Sequence, residues 1–321
     1  MQCFARIILF GACALCVAPG FTQGFPAKPV RIVVGFSAGS TTDLIGRVLA
    51  TKMGEGLGQP VVVDNRPGAG ANIAAELVAK APPDGYTVLL ANAGLATGAT
   101  AYVKLNFNAL RDFTPVTQVS ATPHILVTHP SLPPKSVKEL VAFTRTRPGA
   151  LNFGSTGHGN SDHLAAELFS FMTGIKMVHI TYKGGPLVLN DLITGQIAMY
   201  FAGVPVALPF VKAGRVRALG VTGAKRATVL PDVPTIAEAG VPGYEHILWG
   251  MLVVPAATPK DVVARLNREA VKALEATDVR ERYAGMGVEP AGTTPEQALA
   301  YLRSETEKYA KVVKAIGLRI E

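Results

Sequence analysis

VRIVVGFSAGSTTDLIGR, residues 30–47, is the stretch that decides how the chain folds. Its first part, VRIVVGF, carries apolar residues on both faces and reads as a fully buried strand. Gly35 to Thr42 then gathers glycine, serine and threonine, and an apolar period resumes as a helix over Asp43–Met53. A chain that leaves a strand through such a turn presents the unpaired N–H groups of the new helix, whose partial positive charge favours anions. Ser40, Thr41 and Thr42 add hydroxyl donors, and Asp43 is placed as an N-cap or first-turn acid that stiffens the loop.

Outward from this unit the same rhythm repeats. Residues 60–65 and 86–92 read as strands, and 70–81 as a helix closed by Pro82, Pro83, Asp84 and Gly85. A long extended segment, 112–130, crosses to a second cycle: a helix over 134–147, a strand at 150–155, a helix at 161–174, then strands at 177–183, 197–203 and 216–223. A second extended run, 248–256, returns, and helices near 259–276 and 295–315 complete the chain. Strands alternating with helices at this pitch imply a parallel sheet covered on both faces. Two α/β lobes joined by two crossover strands put the ligand cleft between them. The expected division is 25–120 plus 250–321 for the first lobe and 121–249 for the second.

Composition narrows the function. With 321 residues, 49% hydrophobic and 17% charged, the chain can bury a large core and does not resemble a disordered segment. Residues 1–24 have one early cation, Arg6, an apolar run from Ile7 to Val17, then small and polar residues. That is the layout of a cleaved secretory signal peptide, with cleavage expected after Gly20 or Gly24, and it is too short for a membrane span. All three cysteines, Cys3, Cys13 and Cys16, fall inside it, so the exported chain is expected to hold no disulfide or thiolate site. The net charge of +8 is spread rather than clustered and aromatics make up only 7%, so no nucleic-acid footprint emerges.

Sharper chemistries fail on spacing. No phosphate loop is present, and in NRPGAGANI (65–73) Ile73 stands where the dinucleotide fingerprint needs its third glycine. The mundane account of that segment is a tight turn held by Asn65 and Arg66. Ser155, in FGSTGHGNSDH (153–163), resembles a nucleophile, yet an elbow needs glycine where Phe153 lies. His124, His129, His158, His163, His179 and His246 form no metal-binding motif, so neither a metal nor a cofactor is expected. What remains is a matched pair of Gly/Ser/Thr-rich loops opening helices, Phe36–Asp43 and Ser155–Ser161, suited to an anion and needing no catalytic group.

The chain also resembles a known family. FPAKPVRIVVGFSAGSTTD (25–43), GQPVVVDNRPGAGANIAAELVAKAPPDGYTVLLAN (58–92), RPGALNFGSTGHGNSDHLAAELF (147–169), VHITYKGG (178–185) and LPDVPTIAEAGVPGYE (230–245) look like the substrate-binding proteins of tripartite tricarboxylate transporters, the Bug-type or TctC-like receptors. The resemblance implies a type II periplasmic-binding fold that closes on a small carboxylate in the periplasm and delivers it to membrane permease subunits. A receptor presenting its ligand to a sensor kinase, or an exported hydrolase, are the alternatives. It further implies ligand contacts from Phe36, Ala38, Gly39, Ser40, Thr41, Thr42 and Asp43, and from Ser155, Gly157, Gly159, Asn160, Ser161 and His163. Three departures stand out. Ser40 replaces a frequent glycine, Pro186 lies one residue early and shifts a helix start near Asp191, and Ala202–Gly203 replace polar residues, suggesting a roomier cleft wall.

Overall fold

Strand β1 (Val30–Val34) lies between two parallel partners, β2 (Val61–Asn65) and β3 (Thr87–Ala91), in a computed structural model that describes residues 24–320. Val30, Ile32, Val33 and Val34 are inaccessible to water, as the run of apolar residues requires. The expected signal peptide lies outside the described residues. Helix α1 (Thr41–Leu57) starts because Ser40 accepts the Asp43 N–H, and it stops at Gly58, whose left-handed backbone (φ +68°) returns an N–H to Gly54. Its Ile45, Leu49 and Met53 pack into one core beneath the sheet, together with helix α8 (Lys260–Glu275). Helices α2 (Asn72–Ala79), α3 (Ala93–Ala101) and α10 (Pro295–Ala315) cover the other face.

The two crossovers are β4 (Phe113–Thr128) and β9 (Ile247–Pro255), antiparallel to each other. Phe113–Pro123 of β4 pairs with β9, whereas His124–Thr128 pairs with β7 (Met199–Gly203). Beyond that switch β5 (Asn152–Ser155) is parallel to both β6 (Val178–Thr181) and β7, and β8 (Arg217–Val221) joins the far end of β4. Helices α4 (Val137–Arg145) and α5 (Ser161–Thr173) pack on one face of this half, α6 (Gly185–Ile193) and α7 (Val204–Lys212) on the other. The result is a curled sheet with two α/β lobes linked by two crossover strands. Helix α9 (Thr277–Gly285) and the short strand β10 (Glu289–Pro290) sit beside the crossover. Among the described residues no helix is long and apolar enough to cross a membrane.

Helices α3, α7 and α9 are additions to the sequence reading. Segment 93–101 is mostly alanine, glycine and threonine, without an apolar period, and its Ala93, Leu95, Ala96, Thr97 and Ala101 are buried by their neighbours instead. Helix α7 holds Pro205 in its first turn, where no N–H is missed, and tolerates Pro209 inside. Helix α6 begins at Gly185 with Pro186 in its first turn rather than near Asp191. Asp191 lies within the helix and accepts the Tyr182 hydroxyl at 2.6 Å.

Candidate functional site

Between the lobes a cavity of about 30 Å³ is lined by the opening residues of five helices from both halves of the sheet. Ser40 caps α1, Asn92 caps α3, Asn160 caps α5, Gly203 precedes α7, and Gly185 opens α6. Each start leaves N–H groups without helical partners and contributes a partial positive charge. No lysine or arginine is among the lining residues. An anion held here would be bound by dipoles and neutral donors rather than by an ion pair.

The residues singled out in the sequence divide by position. Phe36, Ser40, Thr41, Thr42, Asn160 and Ser161 face the cavity. Ala38 is exposed at the loop tip, and Gly39 supports the site from behind with its N–H on the Asp43 carboxylate at 2.8 Å. Asp43 is turned away from the cleft: it accepts from Gly39, from Asn65 Nδ2 (2.8 Å) and from Arg47 Nε (2.9 Å). Burial alone would raise its pKa, but those three bonds hold it below the usual carboxylate value. Asn65 also donates to the Phe36 carbonyl at 3.0 Å, fixing the first jaw. Arg66 instead bonds the Asp64 carboxylate.

Ser155, Gly157, Gly159 and His163 form the back of the second jaw. Ser155 is fully buried, with Oγ 2.5 Å from His179 Nε2. The His163 Nδ1 accepts the Gly159 N–H at 3.1 Å, so in its neutral form the proton sits on Nε2, facing Glu167 Oε1 at 3.6 Å. His158, His163 and His179 bring one ring nitrogen each within 4.8 Å of one another, and Phe153 stacks on His163 and His179. The Gly159 amide and Ser155 hydroxyl already engage this cluster, which ties the loop to β6 rather than offering a common focus of lone pairs. Burial lowers the His179 pKa to about 3, so that ring is neutral. Gly157 (φ +137°) and Gly159 (φ +70°) supply the backbone turns that no side-chained residue adopts readily.

Several lining residues went unread in the sequence. Asn92 follows a strand and precedes small residues, the same signal as in the two jaws, and could have been found that way. His124 and Tyr200 could not, because strand register places them: His124 stands opposite Gly203, read in the sequence as cleft wall, across β4 and β7. His124 Nδ1 is buried without a hydrogen-bond partner, and burial lowers its pKa to about 3. Asp162, beside the cap Asn160, accepts from the Thr156 N–H at 2.8 Å and the His163 N–H at 2.9 Å. Gly203 does not widen the cleft. A Cβ there would collide with Thr41 of the first lobe, so glycine lets the lobes meet.

Comparison with known proteins agrees with this architecture. The family described as tripartite tricarboxylate transporter family receptor matches residues 45–318. The solved structure of R. palustris Rpa4515 with adipate is 37% identical, covers 92% of this chain and 99% of its own, and superposes with a TM-score of 0.89. The periplasmic binding protein BugD is 31% identical, with 92% and 100% coverage and a TM-score of 0.89. MatC from Rhodopseudomonas palustris with bound malate is 31% identical, with 90% and 100% coverage and a TM-score of 0.85.

Proposed function

The chain belongs to the tripartite tricarboxylate transporter receptor family, and from that premise we propose that it is a periplasmic receptor capturing a small dicarboxylate for the permease of such a transporter. The carrying observation is the convergence of five helix starts from both lobes on one cavity without a lysine or arginine. A carboxylate accepts hydrogen bonds from backbone N–H and hydroxyl groups and is favoured at helix N-termini. Rpa4515 with adipate and MatC with malate support dicarboxylates of that size as the ligand class.

The cavity of about 30 Å³ is far below the usual 300–1,000 Å³ of ligand pockets, so entry requires the lobes to part. The switch of β4 pairing at Pro123–His124 supports a hinge there and the division into 25–120 plus 250–321 and 121–249. The family is one of receptors rather than enzymes. Consistent with that, Ser155 meets a histidine but lies outside the cavity wall. A thermal-shift panel of the exported chain tests the reading. Adipate or malate should raise Tm, while ester substrates should show no turnover. A flat response to every carboxylate would refute it.

A further inference from the structure

Within the cavity wall one ionisable oxygen pair stands where an incoming anion would be repelled. Asp162 is buried on the second jaw, in the first turn of α5, and lines the cavity with Tyr200 and His124, the other titratable residues of the wall. Its oxygens accept the backbone N–H groups of Thr156 and His163, and the Thr156 and Tyr200 hydroxyls bond the same carboxyl, so that it sits among neutral donors at the cavity edge. The elements opposite bring no positive side chain: α1 offers Ser40, Thr41 and Thr42, α3 offers Asn92, and β9 offers Leu248. Arg47, the cation of α1's first turns, is spent on Asp43.

Resting on the receptor reading above, we propose that Asp162 is protonated in the liganded state and donates a hydrogen bond to a ligand carboxylate, so that the dianion enters together with one proton. The proton comes from solvent and resides on an Asp162 oxygen, turning a repulsive contact into an O–H to O⁻ bond. The group is poised for this, since burial pushes its pKa up to about 6 despite the bonds from Thr156 and His163. A second anion nearby raises it further. Of the titratable neighbours, His163 opposes the upward shift through its charge, whereas burial keeps His124 neutral, with a pKa of about 3, and raises the Tyr200 hydroxyl, which lies against Asp162, so that it also stays neutral.

Calorimetric titration of the full exported chain with adipate and with malate, in PIPES and in Tris, tests this. The expected enthalpy difference between buffers corresponds to uptake of about one proton per ligand. Between pH 6 and 8, where both acids are already ionised, Kd should rise by up to about tenfold per pH unit. Asp162→Asn, which offers a permanent N–H donor, should remove the pH dependence. Equal enthalpies with a flat pH profile, or proton release, would overturn the proposal while leaving the receptor reading intact. Absence of binding by both acids would overturn the receptor reading and the proposal with it.

Discussion

The side-chain amide of Asn92 donates to Oδ1 of Asn160 across 2.9 Å, joining the caps of two helices from opposite lobes. Both residues line the cavity, so the bond is a latch at the proposed ligand site. Thr97 Oγ1 on the Gly159 carbonyl (2.7 Å) and Tyr102 on the His158 carbonyl (3.0 Å) extend it. Asn92→Asp keeps the cap on Gly94 but sets oxygen against oxygen. We expect Tm without ligand to change little, weaker dicarboxylate binding by about tenfold, equivalent to one lost hydrogen bond, and a larger radius in small-angle scattering.

Gly203→Ala isolates closure from folding. Its backbone (φ −60°, ψ 135°) suits any residue, so the substitution adds no strain of its own. The new Cβ would meet Thr41 of the other lobe. Overpacking costs about 1–3 kcal/mol, paid here only when the lobes close. Ligand affinity measured by calorimetry should fall by roughly tenfold or more, with the unliganded melting curve preserved.

Asp43→Asn should loosen the first jaw without touching ligand. The carboxylate organises Gly39, Arg47 and Asn65 at once, and Asn65 in turn holds the Phe36 carbonyl. Losing a charge-assisted bond of this kind costs about 1.5–3 kcal/mol. A lower Tm in thermal denaturation is expected, together with weakened ligand binding. Because the folded pKa is depressed, this contribution is present above the ordinary carboxylate value and lost as pH falls through the lowered one. The variant's deficit should therefore vanish in strong acid.

Acid sensitivity above that range should come from histidine. Burial lowers the pKa of His124 and His179 to about 3 and that of His246 well below its ordinary value. Each stays neutral when folded and takes a proton when unfolded, so stability is full above about pH 6.5 and declines as pH falls below it. Asp162 opposes them with one proton held by the folded state between its ordinary value of 3.8 and about 6. Urea titrations from pH 7 to 5 should show a stability loss, and His124→Gln should shallow it.

Much of this was legible in sequence because local patterns dictated it. The buried run at Val30–Val34, the cap at Ser40 and the stop at Gly58 are all written within one strand-turn-helix unit. Ser40 proved to be the residue that starts α1 by accepting the Asp43 N–H, a role glycine has no side chain to fill. The paired jaws were visible for the same reason. Asp162 and Tyr200 as neighbours, and His124 opposite Gly203, depend on how elements distant in sequence, helix α5 and strands β4 and β7, come together. No local period encodes that. Helix α3 stayed hidden because small residues bury without an apolar stripe.

The central claim is that helix ends and neutral donors in the cleft bind a small carboxylate dianion. Calorimetric titration of adipate, malate and the uncharged diamide of adipic acid against the same preparation tests it most directly. The account predicts binding of at least one of the two acids in the micromolar range or tighter, with the diamide weaker by at least about a hundredfold, or some 2.7 kcal/mol. Equal affinity for acid and diamide, or no heat with either acid, would contradict it.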